Sequence, residues 1–486
     1  MTGAPHHPGT TPRTTPARPR QTPSGQHHPA PFDDEVREPM SHRTPWRRTL
    51  AGTAAVTALA LTLAACGSGG SSGSDADVSP DDVAAALEEG GDLLVWGWDP
   101  TLTPMVAAFE EAYPNVNVEL ANVGTSTDAY TAVQNAIQAG SGVPDVVHME
   151  YSAVPQFALT EDLADLTPYG AADLEDSYTP GTWGSVAING GVYGLPLDSG
   201  PMAMFYNATV FEENGIAVPT TWEEYTEAAR TLHAADPSKY IAGDVGDAGF
   251  TQSMIWQAGG RPFQVSGTDV TVDLEDEGSQ KFAEMWQPLL DEDLVAPVVT
   301  WSEEWYKALG DGTISTLLIG AWMPVNLESG VPEAEGDWRV APMPQYEAGD
   351  AVNSENGGSA LVVTEASTQK ALAYGFTEFS NAGDGVGVRL EAGTFPATVA
   401  DISSAEFTGK EFPYFGGQKV NEVLADAATS VAPGWQYLPF QAYAVSIYND
   451  NVGTTYTGGQ TLMDGLAAWQ NAIVSYGDSQ GFTVNG

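Results

Sequence analysis

Apolar positions over residues 92–147 switch between two spacings. Asp92 to Gly97 is a short apolar run bounded by turn residues, which predicts a strand. Thr103-Pro104 then supplies a helix cap and a proline at the first helical position, and Met105, Val106, Phe109 and Tyr113 recur along one helical face. From Asn115 to Ala121 the apolar residues Val116, Val118 and Leu120 alternate, as in a half-buried strand. A second helix carries Tyr130, Val133 and Ile137 and stops at Gly140, before a further strand begun by Val143-Pro144-Asp145-Val146-Val147. This β-α-β-α-β order predicts a mostly parallel sheet with helices on both faces. Ligands of such sheets lie beyond the carboxyl ends of the strands, where Trp98, Asp99, Asn122, Glu150 and Tyr151 stand.

Later segments keep the α/β character. Thr221-Trp222-Glu223-Glu224 reads as a capping box opening a helix with Trp222, Tyr225, Ala229 and Leu232 on one face. Leu462, Leu466, Trp469, Ile473 and Tyr476 mark a long amphipathic helix near the end. A chain of 486 residues exceeds what one core usually serves, so two domains are expected. No repeat of solenoid period occurs.

Charge narrows the partners. Against 17 Lys and Arg stand 64 Asp and Glu, a net of -47. Residues 1–65 hold seven of those cations and four of the acids, so the acidity belongs to the rest of the chain. Such a surface repels nucleic acid and anionic headgroups and is expected chiefly to keep the exterior solvated. The single cysteine, Cys66, rules out an intramolecular disulfide.

The N-terminus reads as an address. Residues 1–39 are rich in Pro, His and Thr without apolar periodicity, which suggests disorder or a misplaced start, with Met40 the expected true one. Arg43, Arg47 and Arg48 precede the apolar run Leu50 to Ala65, 16 residues long and short of the roughly 20 that a membrane span needs. Residues 40–65 therefore read as a signal peptide. Leu63-Ala64-Ala65-Cys66 resembles the lipobox of bacterial lipoproteins, which implies acylation of Cys66 after cleavage and a lipid anchor as the membrane link. Residues 66–90, opening with a Gly/Ser run, are expected to form a flexible tether.

Tyr193-Gly194-Leu195-Pro196, Phe205-Tyr206-Asn207, Phe211 to Ile216 and Pro219 to Glu224 together resemble a family 1 extracellular solute-binding protein. Pro144 to Val147, Asp165 to Pro168, Gly320-Ala321-Trp322, Gly357 to Val363 and Gln480-Gly481-Phe482 extend the resemblance over residues 91–484. It implies two α/β lobes around a hinge, one from 91–198 and 346–400, the other from 199–345 and 401–486, with the first crossing at Leu195 to Ser199. It also implies a monomeric receptor on the extracellular face of the cytoplasmic membrane. There it would deliver a neutral sugar or oligosaccharide to ABC permease subunits served by a separate ATPase, catalysing nothing and using no cofactor.

A sugar offers apolar C–H faces and a hydroxyl rim, so its receptor needs flat aromatics beside acids and amides. Of the 13 Trp, Trp222, Trp286 and Trp469 fall on amphipathic faces and read as core. Trp98, Trp256, Trp301, Trp322 and Trp435 occupy turn-rich or strand-end contexts, and by the resemblance Trp322 is the foremost stacker. Asp198 and Glu150 are expected to accept hydroxyls, or else to serve a hinge ion pair or a solvated rim, and Gly358 joins the ligand-binding set. A cationic or zwitterionic solute such as a polyamine is the alternative, held in a box of Trp faces and carboxylates.

Enzymatic readings lack motifs. A secreted glycosidase would need two placed carboxylates, and nothing in the spacing fixes such a pair. Neither G-x-S-x-G nor H-E-x-x-H occurs. Asp273, Glu275, Glu277, Gly278 and Glu284 echo calcium-loop spacing but depart from it at the third, fifth and ninth positions, so they are expected to charge a helix start. His148 is expected to be a satisfied polar residue.

Overall fold

The apolar spacings of residues 92–150 resolve into the strand Gly91–Trp96, the helix Leu102–Ala112, the strand Val116–Ala121, the helix Thr127–Ala139 and the strand Val146–Glu150, in a computed structural model that describes residues 79–486. Helix Leu102–Ala112 buries Met105, Val106 and Phe109 against the sheet. Gly140 ends the next helix in a left-handed conformation, φ 62°, that a side chain would strain.

The first sheet orders its strands Val116–Ala121, Gly91–Trp96, Val146–Glu150, Ser359–Val363 and Leu195–Pro196. The first three run parallel, and Ser359–Val363 is antiparallel to both of its neighbours. A second sheet centres on Met202–Asn207, antiparallel to Thr316–Gly320 on one side and Trp338–Ala341 on the other. Beyond Thr316–Gly320 a parallel Tyr240–Ile314 bridge leads to the parallel pair Ala242–Gly243 and Val295–Ala296. In each sheet one strand runs against both of its neighbours, Ser359–Val363 in the first and Met202–Asn207 in the second. The expectation of mostly parallel pairing therefore holds for the first three strands of the first sheet and not around Met202–Asn207. Local spacing carries no sign of those reversals, because strand direction depends on where the chain re-enters the sheet.

Two α/β lobes follow from where the apolar side chains gather. One core draws on residues 83–197 and 360–397, while the cores on the two faces of the second sheet draw on 202–343 and 395–473. Between the cores, segments 197–202 and 354–359 run side by side. Leu197 N–H donates to the Ser359 carbonyl, Asn356 N–H to Gly200 and Met202 N–H to Ser354. Gly200 permits this approach, since a Cβ there would lie 2.4 Å from the Asn356 carbonyl oxygen.

One boundary needs correction. The tether expected over 66–90 gives way at Pro80–Glu89 to a helix, capped by Ser79 and Asp82 and started by Pro80. Val83 enters the first core, and Ala86 and Leu87 pack against it. The Ser-Pro-Asp-Asp start signal was present in the sequence, but acidic composition masked it. The expected signal peptide, Cys66 and the Gly/Ser run lie outside the described residues. Within the described residues no helix is long and apolar enough to cross a membrane.

Candidate functional site

A cleft of about 360 Å³ opens between the cores. Tyr130 and Glu150 line it from the first lobe, Gln252, Trp256 and Tyr437 from the second, and Gly357-Gly358 from the crossing segment. A smaller cavity of about 170 Å³, which shares Asp247 with the first, lies in the second lobe and is lined by Asp244, Phe250, Trp301 and Trp322.

Glu150 ends the strand Val146–Glu150 with its side chain half-buried. Its Oε2 accepts hydrogen bonds from Ser126 Oγ at 2.9 Å and Tyr130 Oη at 2.8 Å. Both bonds go to the one oxygen, so Oε1 keeps acceptor capacity in a residue that lines the cleft. Gly358, at φ 94°, is a sterically required neighbour, because a Cβ would meet Tyr151 Cε2 at 2.5 Å.

Aromatic surface gathers in the smaller cavity. Trp322 precedes the helix Met323–Gly330, and its Nε1 donates to the Asn356 carbonyl at 2.8 Å, fixing the ring. Trp301 lies 5.6 Å from it, centroid to centroid, and remains 46% exposed. The backbone of Trp301 is left-handed at φ 68°, a conformation that bulky residues rarely adopt. Strain of this kind concentrates at ligand clamps.

Other expected ligand residues make contacts within the frame. Tyr151 is fully buried behind Gly358, and its hydroxyl donates to the Asp198 carbonyl at 2.7 Å, so it braces the crossing rather than facing solute. Asn122 is exposed on the surface, where its Oδ1 accepts from Gly124 N–H and closes a local turn. Trp435 packs at 4.5 Å behind Trp256. Trp256 itself belongs to the helix Ala248–Gln257, not to a turn, and reaches the cleft only by an edge, being 1% exposed. Asp99 Oδ1 accepts from Thr101 N–H, and Trp98 lies 4.0 Å over the His148 ring. As expected, Trp222, Trp286 and Trp469 are core, and Glu277 heads a helix capped by Asp276.

Buried ionisable groups line the hinge. Asp198 Oδ1 accepts from both the backbone N–H and the hydroxyl of Ser359, each at 2.7 Å. With its own proton given to Asp198, the Ser359 hydroxyl accepts from His148 Nε2 at 2.8 Å, which fixes the histidine tautomer. Burial pushes the Asp198 carboxyl up to about 6 and the His148 imidazole down to about 4. Glu355, 1% exposed, bridges the two crossing segments by accepting from Ser199 Oγ and Gly200 N–H, and burial raises it to about 7. Asp244, a buried residue lining the aromatic cavity, is also raised to about 7 by burial while accepting from Gly246 N–H and Trp286 Nε1. Arg389 is buried, donating to Leu197 O and the Thr101 hydroxyl, so it braces the fold and offers no fork to an anion.

Asp244, Asp247, Gln252 and Tyr437 were not anticipated. Asp247 caps the helix Ala248–Gln257, Oδ1 accepting from Phe250 N–H at 2.7 Å. The Gly243-Asp-Val-Gly-Asp247 loop before an apolar helix was its available signal. Among the described residues no group of three or more His, Cys, Asp or Glu is placed to hold a metal ion.

A family model for the bacterial extracellular solute-binding protein matches residues 97–382. The chain belongs to this family. Among solved structures, this solute-binding protein resembles an ABC transporter associated binding protein of B. animalis subsp. lactis, in complex with β-1,6-galactobiose. The two are 47% identical with a TM-score of 0.74, over 81% of this chain and 99% of that one. The arabinooligosaccharide-binding protein of Halalkalibacterium halodurans is 25% identical over 77% of this chain and 87% of its own length. The lactose-binding protein of Rhizobium radiobacter is 25% identical over 69% and 82% respectively.

Proposed function

We propose that this solute-binding protein captures a neutral oligosaccharide between its lobes and hands it to an ABC permease powered by a separate ATPase. The observation that carries the reading is the pair of an exposed Trp301 and a half-buried Trp322 bordering a cleft lined with Glu150, Asp247 and Gln252. Indole faces take the C–H surface of a pyranose, and carboxylate and amide groups take its hydroxyls. The binding reported for the relatives supports the same class of solute. On this reading the chain works as a monomer outside the cytoplasmic membrane, held by acylated Cys66, and performs no catalysis.

The carboxylates Glu150 and Asp247 beside indole rings also suit a polyamine, so the test carries both solutes. Thermal melts with neutral oligosaccharides, polyamines and peptides decide between them. A saturating ligand at 100 times its Kd stabilises by about 2.7 kcal/mol. A rise with saccharides alone is expected, and a rise with polyamines alone would replace the sugar by a cation.

Replacing Trp322 by alanine tests the stacking surface. Losing one indole face is expected to weaken saccharide binding at least about tenfold, or about 1.4 kcal/mol, while the melt without ligand changes little. Calorimetric titration reads it, and an unchanged Kd removes Trp322 from the site.

A further inference from the structure

Ser126 turns its hydroxyl away from the helix it begins. It stands just before the helix Thr127–Ala139, and the Tyr130 N–H donates to its carbonyl. Ser302, Ser404 and Thr461 hold the same position in other helices with extended backbones, φ -77°, -68° and -77°, and each hydroxyl oxygen accepts from the backbone N–H three residues on. Ser126 has φ 47° and ψ -121° and makes no such bond. Its Oγ donates instead to Glu150 Oε2 at 2.9 Å, at the end of the strand Val146–Glu150. Glycine takes that φ and ψ readily and a residue with a Cβ does so at a cost, so the forgone cap and the backbone both lower stability. Tyr130, one turn into the helix, donates to the same oxygen at 2.8 Å and accepts from Glu150 N–H at 3.0 Å. All three residues line the cleft, and Glu150 Oε1 has no partner among the described residues.

We propose that Ser126 is a positioning residue: its left-handed backbone brings a hydroxyl to Glu150 and so fixes the carboxylate that accepts from the solute. A single donor leaves a carboxylate free to swing about that one bond. Two hydroxyls from one helix start hold Oε2 and decide which oxygen remains open. Ordering the acceptor before the solute arrives reduces what binding must order later. Two local penalties that a glycine at position 126 would avoid are then accounted for by one contact. The inference rests on the oligosaccharide reading, with Glu150 among its acceptors, and the test keeps the two apart.

The full chain and its variants are titrated calorimetrically with β-1,6-galactobiose, lactose and maltose, and melted without ligand. Ser126→Gly removes the hydroxyl and relieves the backbone, so it is expected to raise the melting temperature yet weaken the tightest-bound of these sugars about tenfold. A merely structural residue would move stability and affinity in the same direction. Ser126→Ala removes the hydroxyl and keeps the strain, and it should weaken binding as much without raising the melt. Glu150→Ala should weaken binding at least as much as Ser126→Gly. With Glu150 already replaced by alanine no carboxylate is left to position, and adding Ser126→Gly should change affinity less than about twofold. Wild-type affinity in Ser126→Gly or in Glu150→Ala, a melting temperature lowered by Ser126→Gly, or an undiminished effect of Ser126→Gly without Glu150 overturns the proposal. Absence of binding by every saccharide to the wild type removes the oligosaccharide reading itself, and this inference with it.

Discussion

Trp256→Ala is expected to lower the unfolding free energy by about 3–5 kcal/mol, the usual cost of deleting a buried tryptophan side chain. The ring is 1% exposed, stacked on Trp435 at 4.5 Å with 20° between the planes, and met edge-on by Tyr437 at 5.3 Å. A cavity there would also release Tyr437, which lines the cleft, so saccharide affinity should fall with stability. Trp256→Phe keeps part of the stack and should cost less. Urea denaturation reads the effect, and a loss below about 1 kcal/mol would show that the indole pair does not hold the second lobe together.

Acidity should stabilise the protein. Glu355 is raised from 4.5 to about 7, so the folded chain keeps a proton that the unfolded chain releases between those values. Its contribution is therefore fully present below the unfolded value and lost as pH climbs to the folded one. A shift of that size corresponds to about 3 kcal/mol. Asp244, raised from 3.8 to about 7, and Asp198, raised from 3.8 to about 6, act with the same sign. His148 opposes them, since a value lowered from 6.5 to about 4 removes stability as pH falls through that window. Three carboxyls outweigh one imidazole, and Tm without ligand is expected to fall from pH 5 to pH 8.

Self-repulsion of a chain with net charge -47 has the same sign, so one variant must separate the causes. In Glu355→Gln the amide oxygen can accept from Gly200 N–H while its NH2 donates to a rotated Ser199 hydroxyl. The variant should be more stable than the wild type at pH 8, nearly equal to it at pH 5, and flatter between. A Tm that stays level or rises from pH 5 to 8 in the wild type, or a Glu355→Gln slope like the wild-type slope, would discard the buried carboxyl as its source.

The sequence by itself determined what depends on near neighbours. Helical and alternating spacings placed the elements of residues 91–150, and the amphipathic faces marked Trp222, Trp286 and Trp469 as core, because burial of one face follows from local period. The Gly357 to Val363 run and the strand end at Glu150 likewise pointed to positions that border the cleft.

Tertiary structure decided whatever depends on distant segments meeting. Tyr151 follows a strand as Glu150 does, yet its ring turns into the crossing and its hydroxyl meets the Asp198 carbonyl. Trp435 and Trp256 have similar contexts in sequence, but only the fold lays one behind the other. Asp247 became a candidate because the helix it caps brings it into the lining of both cavities. Alternation and capping are set within a few residues along the chain, whereas which side of a side chain faces ligand is set by packing between segments far apart in sequence.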